Sequence, residues 1–239
     1  MKKTIPINMI DGVELIADER SGVARISVTD KNALKALSWD RFVRLETAAK
    51  AVSELTSSGS SIIDVGGYDG ALALFLPDYN IDLIDPATTD ASLLNAPVDD
   101  GSYELATAID VLEHIAPSDR TQALSELARI ATRFVILNYP CHHSKSAQEV
   151  VLKLTNNPLI REHVEWELPD TVWVTEQMKS FGFQTRVVEH TNIAIWLAQY
   201  TAQNLTPEIA QELNSYLIEH HQREPFEKPL YHLVVCIRN

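Results

Sequence analysis

Short apolar runs along the chain alternate with stretches that are apolar only at every third or fourth position, a pattern that predicts strands interleaved with helices. Ile62-Ile63-Asp64-Val65 is apolar on both sides of one acid, as suits a strand covered on both faces, and it empties into Gly66-Gly67-Tyr68-Asp69-Gly70. Further strands are expected at Ile81 to Asp85, Tyr103 to Ile109, Phe134 to Leu137, Gln184 to Val188 and Tyr231 to Ile237. A weakly marked strand or edge segment lies at Ala91 to Leu94, and the region from Val13 to Ile26 is strand-like with turns. Helical spacing of Phe42, Leu45, Ala49, Val52 and Leu55 predicts a helix from Ser38 to Leu55, with Ser38 as its cap and with Arg41 and Arg44 largely off the apolar stripe, in surface positions or, where the helix folds over a ligand pocket, reaching into it. Ala71 to Leu76 begins a short helix that Pro77 ends. Ser118 and Asp119 open a helix with a stripe of Ala123, Leu124, Leu127 and Ile130. Pro169 to Phe181, Ile193 to Gln203 and Pro207 to Gln222 complete the helices. Strands alternating with helices in this way predict an α/β fold around a mostly parallel sheet.

Composition narrows the picture. With 239 residues, 45% of them hydrophobic and 22% charged, the chain can bury one sizeable core. A formal net charge of −13, with no basic run longer than Lys2-Lys3, disfavours nucleic acid and anionic membrane surfaces, since phosphate contacts depend on Lys and Arg. No stretch is long enough to span a bilayer, and acids follow the amino-terminal lysines too soon to leave an apolar signal core. Cys141 and Cys236 are the only cysteines, so neither a disulfide framework nor a zinc-type ligand spacing is expected, no metal is predicted, and a reducing cytoplasm is the natural setting.

In an open α/β sheet, ligands collect where the strands end at their carboxyl side. Gly66, Gly67 and Gly70 let the backbone turn sharply and approach a ligand after the first of these strands. Asp85, about twenty residues on, has the separation at which an acid meets a ribose hydroxyl, the lesser alternative being an acid that holds the turn before Pro86. Downstream come Asp90-Ala91, Pro97-Val98-Asp99-Asp100-Gly101-Ser102-Tyr103-Glu104 and Asp110-Val111-Leu112-Glu113-His114-Ile115. Taken in order, these segments resemble the class I S-adenosylmethionine-dependent methyltransferases, in particular the type 11-like group with its glycine turn, acidic loop and "VLEHI" stretch. The resemblance covers roughly Ser61 to Leu137.

The resemblance implies a Rossmann-like, seven-stranded, mostly parallel sheet whose last strand is antiparallel. It implies one methyltransferase domain over residues 1–239, made of an amino-terminal cap (1–57), a cofactor-binding core (58–140) and an acceptor-side half (141–239) with a helical excursion at about 193–222. It also implies methyl transfer from S-adenosylmethionine, leaving S-adenosylhomocysteine. Asp64, Gly66, Gly67, Tyr68 and Gly70 match the methionine end of the cofactor site, Asp85 the ribose acid, Asp90 and Ala91 the adenine end, and Asp110, Leu112 and His114 the wall after the fourth strand. Two departures stand out. Tyr68 occupies the usual middle glycine position, and the stretch from Asp85 to Pro97 is too short for the helix that normally follows, leaving a sheet face for the amino-terminal segment or a partner subunit to cover.

A hydroxyl acceptor needs a base, and histidine is the natural candidate. His142 and His143 follow the fifth strand, either at the rim beside the methyl group or as a solvated loop pair. In His163-Val164-Glu165-Trp166-Glu167 the alternation aims His163, Glu165 and Glu167 to one side, or marks an exposed loop ahead of a capped helix. His114 either borders the cofactor or bonds the turn. Tyr139, Trp166, Trp173 and Trp196 are candidates for an acceptor pocket or for core packing. The expected acceptor is a small molecule or a sugar-like group, methylated on oxygen. The excursion is a place for a homo-oligomer contact. Two other readings remain: a non-catalytic S-adenosylmethionine-binding or assembly subunit, and a nicotinamide-dependent dehydrogenase, which asks for a fuller glycine fingerprint.

Overall fold

The computed structural model describes residues 10–18 and 22–238, so Lys2, Lys3 and Glu19 fall outside the described residues. Eight strands form one sheet: β1 (Val13–Ala17), β2 (Ala24–Val28), β3 (Ile62–Val65), β4 (Ile81–Ile84), β5 (Tyr103–Ile109), β6 (Ala131–Pro140), β7 (Phe183–Asn192) and β8 (Pro229–Arg238). Their spatial order is β1-β2-β4-β3-β5-β6-β8-β7. Strands β4, β3, β5 and β6 are parallel, and β8 runs antiparallel between β6 and β7, as expected of the last strand.

The strand count exceeds the expected seven because the edge beside β4 is built differently. Ala91 to Leu94 is not a strand; Leu93–Asn95 is a 3-10 turn whose cap, Ser92, accepts from the Leu94 N–H. A further parallel strand here would need two crossovers of a dozen or more residues each, and the span from Ile84 to Tyr103 has no room for both. The amino-terminal segment takes the place instead. Hairpin β1–β2 joins antiparallel to β4, pairing Ala24 with Leu83 and Arg25 with Asp82, so the edge left open by the short connection is filled from within the chain.

Helix α1 (Trp39–Leu55) buries Leu45, Ala49 and Val52 of its predicted stripe on one sheet face, together with Leu72 and Leu74 from the 3-10 segment after β3. The opposite face is covered by α2 (Arg120–Ile130) and α5 (Thr171–Ser180), through Leu124, Leu127, Val174 and Met178. Helices α3 (Lys145–Thr155) and α4 (Pro158–Glu165) follow β6, and the end of α4 replaces the extended segment or loop expected from His163 onward. Asn157 starts α4 by accepting from the Leu159 and Ile160 amides, with Pro158 at the first helical position.

The excursion consists of α6 (Ile193–Leu205) and α7 (Ala210–His220). It packs on the start of α1 around Trp39, Val43, Trp196 and Tyr231. Ser38 does not cap α1 through its side chain but donates to Asp40. The capping role falls to Asn214 of α7, whose Oδ1 accepts from the Trp39 N–H at 2.8 Å, while the Trp39 indole donates to the His221 carbonyl at 2.9 Å. Long-range bonds therefore hold the start of α1, with Asp40, Arg41 and Arg44, beside the carboxyl ends of the parallel strands.

Candidate functional site

The turn after β3 shows why glycine is required there. Gly66 has φ 74°, in the left-handed region, and a Cβ on it would stand 2.5 Å from Val111 Cγ2. At Gly67 a Cβ would lie 2.2 Å from Asp64 Oδ2 and 2.7 Å from Leu83 Cδ1. Gly67→Ala is therefore expected to destabilise the protein by about 1–3 kcal/mol through overpacking, whereas Gly59→Ala, which meets nothing within 4 Å, leaves the thermal midpoint almost unchanged. Equal midpoints for the two variants would refute the close packing of this turn.

Tyr68 follows with φ 52°, and its N–H donates to Asp85 Oδ2 at 3.2 Å. The other oxygen of Asp85 accepts from the Ala87 N–H at 2.8 Å. Asp85 thus holds the turn before Pro86 and also ties the β4 end to the glycine turn. Beyond Gly70, which packs on Ile26, Asp69 is buried and paired with both terminal nitrogens of Arg41.

Two cavities open at these strand ends. One, of about 430 Å³, has Asp85 on its polar side and Leu93, Leu94, Val111, Ile115 and Trp166 on its apolar side. The other, of about 270 Å³, lies beneath α1 and is lined by Arg41, Arg44, Asp64, Tyr68, His163 and Tyr231, among others. They meet at Gly66, Asp110 and His114.

Charge in the smaller cavity is mostly paired. Arg44 bonds Asp110 through Nε at 2.9 Å and Asp40 through Nη1 at 2.8 Å, with the Tyr231 hydroxyl at 3.4 Å. Burial opposes the Arg44 charge, but Asp110, Tyr231 and Asp40 outweigh it and keep this guanidinium fully protonated. Burial raises the Asp110 pKa and Arg44 pulls it back. Asp110 also has φ 55° and accepts from Asn138 Nδ2 at 3.0 Å; Asn138 in turn meets His190 Nε2 at 2.8 Å. Asp64, buried and bonded to the Thr107 hydroxyl at 2.6 Å, is raised to about 6, first by burial and then by Asp85 and Asp69.

On the wall opposite Arg44, His163 and His114 face each other with their Nε2 atoms 3.2 Å apart. Burial, then the His114 and Arg44 charges, push His163 down to about 3, so its ring is neutral at physiological pH. Beside them Glu113 is wholly buried, and burial followed by the Asp110 charge raises its pKa well above the ordinary carboxylate value.

The residues singled out in the sequence are thus only partly brought together. Asp64, Gly66, Gly67, Tyr68, Asp110, His114 and His163 line the smaller cavity, and Asp85 lines the larger. Gly70 shapes the turn from behind, and Ala91 is buried against the amino-terminal hairpin loop at Gly22. Asp90, at φ 57°, is exposed and lines neither cavity; Ser92 and Leu93 stand at that wall. Leu112 turns into the core, and its neighbour Val111 faces the cavity. His142 and His143 stack on each other near His232 at the end of β6 and line neither cavity, so they are not joined with His163. His163 lies on a helix, not in an alternating extended segment, so Glu165 and Glu167 do not accompany it into the cavity. Trp196 and Trp166 line the cavities, whereas Tyr139 and Trp173 pack in the core. Arg41 and Arg44 are not surface residues, because α1 lies over the site. Glu113 gave no signal of its own beyond standing next to His114.

No family model matches the chain, and no curated protein matches it. Solved structures share its fold at low identity. A S-adenosylmethionine-dependent methyltransferase from Thermotoga maritima is 13% identical, with 86% of this chain and 92% of that one covered and a TM-score of 0.54. Magnesium protoporphyrin IX methyltransferase from Synechocystis PCC 6803, solved with bound S-adenosylhomocysteine, is also 13% identical, over 84% and 86% of the two chains, at a TM-score of 0.51. SpnF, a cyclase, is 14% identical over 84% and 83%, at 0.50. With its parallel β4-β3-β5-β6 centre and antiparallel β8, the chain has the Rossmann-like fold of the class I S-adenosylmethionine-dependent methyltransferases.

Proposed function

We propose that this protein binds S-adenosylmethionine across its two joined cavities and transfers the methyl group to an oxygen of a small or sugar-like acceptor. The observation that carries the reading is the junction at Gly66 and Asp110: a cavity with Asp85, Asp119 and a broad apolar side meets a second that holds Asp40 and Asp64, at the ends of the parallel strands. The larger suits an adenosine, whose ribose hydroxyls would donate to Asp85 and whose ring would lie against Leu93, Leu94 and Val111. Asp64 and Asp110 suit a sulfonium cation, because an acidic environment compensates the cost of removing that charge from water.

Methyl transfer is an in-line displacement, so the chain's contribution is largely positioning. Tyr68, Trp196 and Tyr200 border the smaller cavity, and together with α1 they would limit the acceptor to a small one. The base role moves from His142 and His143, which line neither cavity, to the wall formed by His114 and His163. His163 alone is a weak proton acceptor, since burial, and then the His114 and Arg44 charges, disfavour the imidazolium.

The reading is tested by calorimetry with S-adenosylhomocysteine. The parent protein is expected to bind it, Asp85→Ala to weaken binding by about 10- to 100-fold, and Asp85→Asn, which keeps an oxygen for the Ala87 turn, to fall between. Absence of binding to the parent, or equal affinity in both variants, would sink the assignment. The non-catalytic alternative gains support if the cofactor binds but no methyl transfer is found over a broad panel of hydroxyl acceptors, and the dehydrogenase alternative if NAD binds instead.

A further inference from the structure

Glu113, His114 and His163 come together behind the wall of the smaller cavity, one ligand-type atom of each lying within 4.8 Å of the others; His114 and His163 line that cavity and Glu113 lies beneath them. Glu113 is wholly buried, and neither of its carboxylate oxygens has a hydrogen-bond partner in another residue. The charges of Arg44 and Arg120 act on it, but their guanidiniums are engaged by other oxygens, so a carboxyl group in that position calls for either a proton or a directly bound cation.

The two imidazoles point to the cation. His114 Nδ1 lies 2.7 Å from Glu162 Oε2, and His163 Nδ1 lies 3.2 Å from Gln148 Oε1. Glu162 holds the proton on His114 Nδ1 and leaves its Nε2 a lone pair, and with the Gln148 oxygen turned toward His163 Nδ1 the His163 Nε2 presents one as well. The two Nε2 atoms face each other at 3.2 Å. Two nitrogens held about 2.0–2.1 Å from one tetrahedral ion stand about 3.3 Å apart, which matches the span between the rings. A side-chain adjustment of about 1–2 Å would bring a Glu113 oxygen to the same ion at bonding distance. Glu162 and Gln148 then act as the outer partners that fix each ring's tautomer and orientation.

We propose that Glu113, His114 and His163 form a site for a first-row divalent transition metal, with its remaining coordination positions open to the smaller cavity. Two imidazoles and one carboxylate suit zinc or cobalt and disfavour magnesium and calcium, which take oxygen donors. Adjacent Glu113 and His114 joined by a distant third ligand form no short motif, which is why the expectation of no metal arises from the sequence. One consequence rests on the methyl-transfer reading. An acceptor hydroxyl bound to the metal would lose its proton to solvent, and its electron pair would form the O–C bond as the C–S bond breaks, that pair remaining on sulfur. A metal would thus do what the weakly basic His163 cannot.

The test uses the full chain, stripped with a chelator and titrated with Co²⁺ alone while heat and visible absorption are recorded. One equivalent is expected, with the absorption of a four- or five-coordinate nitrogen–oxygen site. His163→Gln and Glu113→Gln are each expected to weaken uptake by roughly 100-fold or more. Removing a buried charge, Glu113→Gln should be at least as stable as the parent, and circular dichroism checks this. The double variant His142→Gln/His143→Gln removes the exposed pair near His232 and should bind as the parent does. No stoichiometric uptake, or uptake lost in the double variant and kept in His163→Gln, overturns the proposal. X-ray absorption of the Co²⁺-loaded parent provides a check without substitution: two imidazoles with oxygen support the site, and a shell without imidazole refutes it. Binding of S-adenosylhomocysteine is measured separately. Co²⁺ uptake without cofactor binding refutes the methyl-transfer reading alone, and the reverse refutes the metal site alone.

Discussion

Arg44→Met is expected to reduce the free energy of unfolding by about 3–5 kcal/mol at pH 8, because it leaves buried carboxylates without their cation. Arg44 bonds Asp110 at 2.9 Å and Asp40 at 2.8 Å, and its side chain is itself mostly covered. Asp110 already has its pKa raised by burial, with Arg44 the main opposing influence. Without that influence the folded-state pKa rises further. An acid whose folded pKa lies above its unfolded value favours folding below the unfolded pKa, and that advantage is lost as pH rises through the folded value. The deficit of the variant should accordingly be larger at pH 8 than at pH 5, as read from urea denaturation at both. Arg44→Lys should recover only part of the loss, since an ammonium cannot reach both acids with the spread of a guanidinium. A loss below about 1 kcal/mol, or one independent of pH, would show that the pairs are not closely coupled to the fold.

The second large effect has the opposite sign. Asp64→Asn is expected to stabilise the protein by about 1–3 kcal/mol at pH 8 and to have little effect at pH 4. Asp64 is buried beneath the glycine turn and titrates at about 6, against an ordinary value near 4 for an exposed aspartate. Its ionisation therefore opposes folding above pH 6, the penalty fades between 6 and 4, and the amide resembles the protonated acid. The upper bound corresponds to the full pKa difference, and the second amide proton, which has no evident acceptor, reduces it. Thermal or urea unfolding across pH 4–8 measures this; a variant destabilised at pH 8 would refute it. A residue that weakens the fold in its ionised form suits a site that receives a cation, and the same substitution should reduce affinity for S-adenosylmethionine more than for uncharged S-adenosylhomocysteine.

The central sheet and the glycine turn were legible because their signals are local. Four-residue runs such as Ile62 to Val65 carry strand type and burial on both faces, and Gly66 and Gly67 report backbone conformation and close packing directly. The edge was misread because Ala91 to Leu94 has the apolar content of a strand, while the argument against one, the shortness of the connection, concerns topology. Helix α4 concealed itself differently. Over His163 to Glu167 a period of two is visible, but Asn157-Pro158, a helix start, lies upstream of it. The site was read unevenly for the same reason. Asp85 follows from its spacing along one βα unit, whereas Arg44 and Glu113 acquire their importance from partners such as Asp110 and His163 that periodicity cannot bring near.

The attachment of α1 also orders events during synthesis. Its cap comes from Asn214, its indole is held by the His221 carbonyl, and it is the helix that presents Arg41 and Arg44 to the cavity. A chain emerging from the ribosome can pack the apolar stripe of this helix on β3 to β6 early, but its first turn gains its cap only after the excursion has been translated, so the ligand end is closed last. During that interval a nascent-chain binding factor, or the ligand itself, would meet an open strand end where the finished protein has a roof.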